Sequence, residues 1–424
     1  MTITAATIAT LLTALKALQF VCENQPTITF DPRTTILISL DGARSDYLSR
    51  GVTPTIASIA KQGIHAPHMT PSFPTLTWPN HYTLTTGLYP STHGIIGNLF
   101  LDPNSNDTFD YMNFTGQRDP KWWNAGEPIW VACEREGIRT GNVMWPGGAT
   151  EIRGVRASFY REWDWRVDAF GRIDLGVRWL LQEERPVLLV AYLGEVDHAG
   201  HMYGPDSPQV DQELQVLDSS VKRLLDGIEA VGGGKKWHQV VNVVIVSDHG
   251  MGEGNTRERF VFLDDFVDAS RFEIVDDVVV HVFPRNLESI EELYGVWKRA
   301  SLESGKWNVW KREDVPREFR YSGNERIGPI VVVPESGWAV SKRVQQGTSA
   351  FTSKPFEVKG MHGYNNSHPD MRAIFVAGGP AFKKVEEPIP PFENVEVYGL
   401  LAGILKIKNP ASTSGTFALN KYLI

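Results

Sequence analysis

Cysteine is nearly absent from this 424-residue chain. Its two copies, Cys22 and Cys133, can support neither a disulfide framework nor a clustered thiolate metal site. An excess of positive charge is lacking as well: 42 Lys and Arg stand against 50 Asp and Glu, for a net charge of −8. Displacing counterions from nucleic acid needs the opposite balance, so no nucleic-acid-binding surface is expected. Long hydrophobic runs are also missing. Only residues 3–21 (ITAATIATLLTALKALQFV) approach the roughly 20 apolar residues of a spanning helix. That segment has no basic stretch before it, carries Lys16 and ends without a small-x-small cleavage site. The reading for residues 1–30 is an N-terminal helix, with a degraded signal or the remnant of a membrane anchor as alternatives. Apolar residues are plentiful at 42 %, which is ample for a core and excludes wholesale disorder.

Four β-branched runs are bounded by turn or polar residues: Ile36–Leu40, Val187–Leu193, Val240–Ser247 and Ala373–Ala377. Near-continuous apolar runs of this length suit strands covered on both faces. Helical patterns separate them; the clearest follows Asp206-Ser207-Pro208 and repeats through Val210, Leu214, Leu217, Val221, Leu224 and Ile228. The expected fold is therefore a doubly wound α/β domain with a mostly parallel sheet and functional loops at the strands' carboxyl ends. The texture changes from about Thr256 to Lys354, where a strand-like Phe272–Phe283 leads to an amphipathic helix (Leu287–Ser301) and two further strand-like stretches. The expectation is a catalytic α/β domain over 31–255 and 356–424, interrupted by a small α+β subdomain over 256–355. A Trp-heavy segment at Asn104–Trp130 is expected to wall a pocket. Sequons at Asn106, Asn113 and Asn365 fit a glycoprotein on the secretory route, outside the cell or anchored to its membrane.

Each expected strand runs quickly into an acid. Asp41-Gly42 follows the first, Glu195-Val196-Asp197-His198-Ala199-Gly200-His201 the second and Asp248-His249-Gly250 the third; Gly360-Met361-His362-Gly363 sits before the last. One aspartate at a strand end is an ordinary cap or loop residue. Three such clusters plus a histidine loop, gathered on one sheet edge, are what an oxygen/nitrogen divalent-metal site requires. Asp197 and His201 are four apart and share one ion if the stretch makes a helical turn. Thr77 precedes Trp78-Pro79, so it stands at a helix N-terminus, either as a cap or as a nucleophile favoured by the helix dipole. Asn98, between Gly94, Gly97 and the next strand-like residues, could donate its amide to a phosphoryl oxygen.

The segments LDGARSDYL, PTLTWPNHYTLTTGLYPSTHGIIGN, WPGG, YLGEVDHAGH, SDHGM and GMHGYNN together resemble the nucleotide pyrophosphatase/phosphodiesterase family of the alkaline phosphatase superfamily. The resemblance implies an alkaline-phosphatase-like fold and two Zn²⁺, one held by Asp197, His201 and His362, the other by Asp41, Asp248 and His249. It implies Thr77 as the nucleophile and Asn98 as the phosphate contact, with Trp78 and Tyr192 sandwiching a base and Trp145 as a further wall. Two Zn²⁺ against three aspartates leave the centre net positive, able to attract an anionic phosphoryl group. The implied reaction is zinc-dependent hydrolysis of nucleotide phosphodiester or pyrophosphate bonds, releasing nucleoside 5′-monophosphates from a small-molecule substrate bound by a monomer. Alternatives are a choline-type lipid-headgroup phosphodiesterase, a phosphomonoesterase, or a binding protein on a decayed enzyme. Two departures stand out: Asn365 occupies a position where the family has aspartate, and LGEV precedes Asp197 where many relatives carry paired glutamates and proline.

Overall fold

Strand β1 (Thr35–Leu40) is buried along its whole length. It is the middle strand of a sheet that also contains β2 (Gly63–His65), β3 (Thr140–Val143), β4 (Phe159–Arg161), β5 (Leu188–Leu193) and β6 (Asn242–Val246). Four strands then leave that sheet: β7 (Phe272–Val275), β8 (Val280–Pro284), β9 (Trp307–Lys311) and β10 (Ile330–Pro334). The chain returns to the main sheet with β11 (Phe375–Gly378). The computed structural model describes residues 27–255, 257–275, 277–343 and 358–424. The expected helix or anchor remnant within 3–21, and the expected return of the main domain near residue 356, lie outside the described residues.

The main sheet has the order β2-β11-β6-β1-β5-β3-β4. Its pairs are parallel except those made by β11, which runs against both neighbours, with Phe375 opposite Val246 and Gly378 opposite Val243. The start of β11 therefore lies at the carboxyl end of β6. That reversal lets a loop preceding the last strand reach the same edge as loops following the others.

Alternate residues of each central strand enter two cores. Leu37, Val190 and Val244 face one, while Ile36, Ile38, Leu189 and Val243 face the other. The longer helices are α1 (Thr77–Thr86), α2 (Ala169–Leu180), α3 (Glu195–Tyr203), α4 (Pro208–Val231), α5 (Ile290–Ser304) and α6 (Glu396–Leu405). Helices α1 and α6 cover the first face, through residues such as Tyr82 and Leu401; α2 and α4 cover the second, through Ile173 and Leu217. Ser207 caps α4 and Pro208 opens it, as the pattern there predicts.

Strands β7–β10 form an antiparallel sheet in the order β7-β8-β10-β9, closed by α5 over its own core of Phe272, Trp297 and Trp307. The stretch Phe272–Phe283 is thus a hairpin and not one strand, with Ile274 opposite Val282. Asp277 stands between its two strands, and aspartate is a poor strand former. The segment Asn104–Trp130 does wall the large cavity, through Tyr111, Met112, Phe114 and Gln117. Its tryptophans pack mostly inward: Trp122, Trp123 and Trp130 are at most 3 % exposed, and Trp122 borders a smaller second cavity. Trp123 packs edge-on against Tyr82 at 5.0 Å and Trp122 against Phe100 at 5.6 Å. Large rings gain more by excluding water from both faces than by lining a wet cleft.

Candidate metal centre and nucleophile

Asp41 follows directly on β1 and Asp248-His249 follow on β6, so both groups sit at the carboxyl edge of the sheet. Asp197 and His201 lie on α3, which starts two residues after β5, and their four-residue spacing puts both on one helix face. The loops can meet because Gly42 has φ +69°, and a Cβ there would fall 2.9 Å from the Cα of Asp197.

Asp197, His201 and His362 offer ligand atoms within 4.8 Å of one another, as do Asp41, Asp248 and His249. In the first group the Nε2 atoms of His201 and His362 lie 3.4 and 3.3 Å from Asp197 Oδ1. In the second, His249 Nε2 lies 3.4 Å from Asp41 Oδ1 and 3.0 Å from Asp248 Oδ2. The groups abut, for the rings of His249 and His362 stack with centroids 3.6 Å apart.

The outer side of each imidazole fixes its proton. His201 Nδ1 faces the Gly360 carbonyl at 2.9 Å, His249 Nδ1 the Gly250 carbonyl at 2.8 Å and His362 Nδ1 the Thr75 carbonyl at 2.9 Å. A carbonyl only accepts, so the neutral ring carries its hydrogen on Nδ1 and turns a bare Nε2 inward. The His201 and His362 Nε2 atoms then point lone pairs at each other across 3.1 Å. Asp41 Oδ1, Asp197 Oδ1 and Asp248 Oδ2 are buried with no hydrogen-bond partner among the described residues. Bare nitrogens and orphaned carboxylate oxygens converging in this way fit divalent cations, and the donor set suits zinc.

Without a cation the charges are badly placed. Burial, reinforced by Asp248 and Asp197, holds the Asp41 carboxyl well above the usual carboxylate range. Burial and Asp197 push Asp248 up to about 8. Burial also favours neutral Asp197, but His201 and His362 overcome it and hold that carboxyl well below its ordinary value. Burial and His249 bring His362 down to about 4.

Thr77 opens α1, and the capping position falls on Leu76, so its hydroxyl is not spent on the helix end. Thr77 Oγ1 lies 3.3 Å from His249 Nε2, against the second group. Asn98 Oδ1 accepts the Trp78 N–H at 3.0 Å, and Nδ2 has no partner among the described residues. Both residues border a cavity of about 1620 Å³ that is also lined by Asp41, Asp197, His201 and His362. Trp78 and Tyr192 line it half-buried; Trp145 lines it while only 3 % exposed and packs on His81 at 5.0 Å. The Tyr192 hydroxyl donates to Asp41 Oδ2 at 2.5 Å, so this ring is tied to the metal site.

Three residues escaped the sequence reading. Trp163 lines the cavity edge-on to Tyr192 at 5.4 Å, with the Arg172 guanidinium 4.6 Å from its ring centre. The aromatic-acid-aromatic run Trp163-Asp164-Trp165 was the available signal. His81, one helical turn after Thr77, joins the Thr77 carbonyl (2.8 Å) to the Ser39 hydroxyl (2.9 Å). Its spacing from Thr77 could have marked it. Asp277 borders the cavity from the β7–β8 turn, and no sequence signal ties it there.

The sequence model of the type I phosphodiesterase / nucleotide pyrophosphatase family matches residues 35–365. The chain belongs to that family. It is accordingly a hydrolase of the phosphodiesterase class. It is 38 % identical to an uncharacterized pyrophosphatase/phosphodiesterase of Schizosaccharomyces pombe, over 91 % of this chain and 79 % of that one. It is 31 % identical to human ectonucleotide pyrophosphatase/phosphodiesterase family member 1 over 93 % of this chain, but spans only 42 % of that protein. Mouse family member 7 is 33 % identical, with 88 % of this chain and 83 % of that one covered. Among solved structures, murine ectonucleotide pyrophosphatase/phosphodiesterase 5, an inactive threonine-to-alanine variant in complex with AMP, superposes with TM-score 0.83 at 29 % identity. That match covers 92 % of this chain and all of the other. The likeness places the mixed sheet and its helices in the alkaline-phosphatase-like class. Among the described residues no helix is long and apolar enough to cross a membrane.

Proposed function

We propose that this protein hydrolyses nucleotide phosphodiester or pyrophosphate bonds with Thr77 as nucleophile, releasing nucleoside 5′-monophosphates. One observation carries the reading: the Thr77 hydroxyl, free of any capping duty, lies 3.3 Å from His249 where two Asp/His groups meet at the floor of a large cavity. The inactive threonine-to-alanine relative in complex with AMP supports both nucleophile and product class. Asp197, His201 and His362 would hold one Zn²⁺, and Asp41, Asp248 and His249 the other. Bound there, the pair would lower the threonine hydroxyl pKa and offset charge on the attacking and leaving oxygens.

Thr77 Oγ attacks phosphorus, the bond to the leaving group breaks, and a nucleotidyl ester forms on the threonine. Asn98 Nδ2, its amide aimed by the Trp78 N–H, donates to a non-bridging oxygen as charge builds there. Water then adds to phosphorus, the bond to Thr77 breaks and the hydroxyl is restored. Trp78, Tyr192 and Trp145 offer apolar surface to the second ester substituent, which favours diesters over monoesters. Glu213 and Glu195, the latter paired with Arg172 at 3.2 Å, also line this cavity and favour a second reading in which a choline-type headgroup is recognised. In either case residues 31–255 and 356–424 form the main α/β domain, with 256–355 inserted into it, and the sequons lend support to a secretory route.

The test is a substrate panel on zinc-loaded protein: a nitrophenyl ester of a nucleoside monophosphate, free nitrophenyl phosphate and a choline phosphodiester. The nucleotide ester should turn over fastest. Thr77→Ala should abolish that turnover with zinc content unchanged; hydrolysis by the variant at the wild-type rate refutes the nucleophile.

A further inference from the structure

The hairpin turn of the small sheet reaches into the site from outside the main domain. Asp277, half-buried between β7 and β8, accepts the Asn98 N–H on Oδ2 at 3.1 Å and the Val278 N–H on Oδ1 at 2.8 Å. Asn98 in turn holds the Trp78 N–H in the first turn of α1, next to Thr77. The neighbouring Val278 presses on the His362 loop: a Cβ on Gly363 would lie 2.7 Å from Val278 Cβ and 2.9 Å from Leu76 Cδ2. Gly363 has φ +111°, which only glycine adopts freely.

We propose that Asp277 is a positioning residue for the hydrolysis, fixing the Asn98 backbone so that its side-chain amide meets the phosphoryl oxygen. Asn98 stands on a glycine-flanked loop that could swing. A carboxylate gripping the Asn98 amide, with its own turn wedged against the loop of a candidate metal-site histidine, removes that freedom. Donors for developing charge act only when held in place before the charge appears, and the loss on loosening them falls on kcat more than on KM. The small sheet is by this account part of the active site. The inference rests on the proposed contact between Asn98 and phosphate.

The test is a double-mutant cycle of Asp277→Ala and Asn98→Ala, with kcat and KM for a nitrophenyl nucleoside monophosphate ester, zinc content and thermal melting recorded for each. Asp277→Ala should lower kcat about tenfold or more, with KM within about threefold and zinc retained. In the Asn98→Ala background the same change should cost less than about threefold, because the group it acts through has gone. Where the alanine variant does not fold, Asp277→Asn, equal in size and keeping one acceptor, runs the same cycle. Equal losses in both backgrounds, or loss of zinc in step with activity, overturn the inference. Wild-type turnover by Asn98→Ala overturns it too, while an inactive Thr77→Ala leaves the proposed reaction standing.

Discussion

Tyr192→Phe removes one oxygen atom and leaves the ring in the cavity wall. The lost bond is short, 2.5 Å, and ends on Asp41 Oδ2, whose partner oxygen has no hydrogen bond among the described residues. Burial raises the Asp41 carboxyl, and the tyrosine hydroxyl is one of the groups that draws it back down. Burial keeps the phenol itself protonated, so it donates at every working pH. A hydrogen bond to a charged group contributes about 1.5–3 kcal/mol, and about 1.4 kcal/mol is tenfold in binding. The Phe variant should therefore hold zinc about ten- to a hundredfold more weakly, as is general for groups behind metal ligands. The deficit should widen as pH falls, because an Asp41 carboxyl without its donor retains a proton more readily against the cation. Competition against a chromophoric zinc chelator at pH 6 and pH 8, with thermal melting as a control, measures this directly. For zinc-saturated enzyme, KM should move less than about threefold, since the ring remains. Unchanged zinc affinity, or a large KM increase at full zinc occupancy, refutes the argument.

Other outcomes follow from the same geometry. In metal-free protein, Asp248 is raised to about 8 by burial and Asp197; His201, which burial alone would lower, is raised to about 9 by Asp197. The folded state then keeps protons that the unfolded chain releases from about pH 4 for Asp and about 6.5 for His, so apo stability falls as pH rises through those windows. The zinc-induced gain in melting temperature should accordingly grow from pH 6.5 to 8.5; calorimetry with and without zinc checks it, and a gain that shrinks contradicts it. Trp163→Ala should raise KM for a nucleotide ester on the order of tenfold, from about 1–3 kcal/mol per stacked base, with little change in melting. Trp123→Ala, by contrast, empties a fully buried site and should cost on the order of 3–5 kcal/mol of stability, read by denaturant titration.

Much of this protein was determined along the chain itself. The buried strands announce themselves as apolar runs because a strand covered on both faces has no polar alternation to obscure it. The acids and histidines that end those strands stand directly after them, so their sheet edge was legible once the strands were. The pairing of Asp197 with His201 needed only a helical turn, which α3 supplies. The short strands Gly63–His65, Thr140–Val143 and Phe159–Arg161 were not legible, since three or four residues carry too little periodicity to mark them.

Tertiary structure decided whatever depends on contacts between distant segments. The reversed direction of β11 brings His362 to the edge that carries the other candidate ligands, and nothing in the local sequence encodes a strand's direction. The Asn104–Trp130 segment lines the cavity as expected, yet through Tyr111 and Phe114 while its tryptophans pack mostly inward, and Trp163 joins the wall from elsewhere; aromatic composition does not say which face a ring presents. The hydroxyl of Tyr192 on Asp41 and the grip of Asp277 on Asn98 each join residues at least 151 apart. A hydrogen bond of that span exists only once the backbone has folded and fixed both ends, so the candidate ligands stand out in the sequence while the contacts that hold them do not.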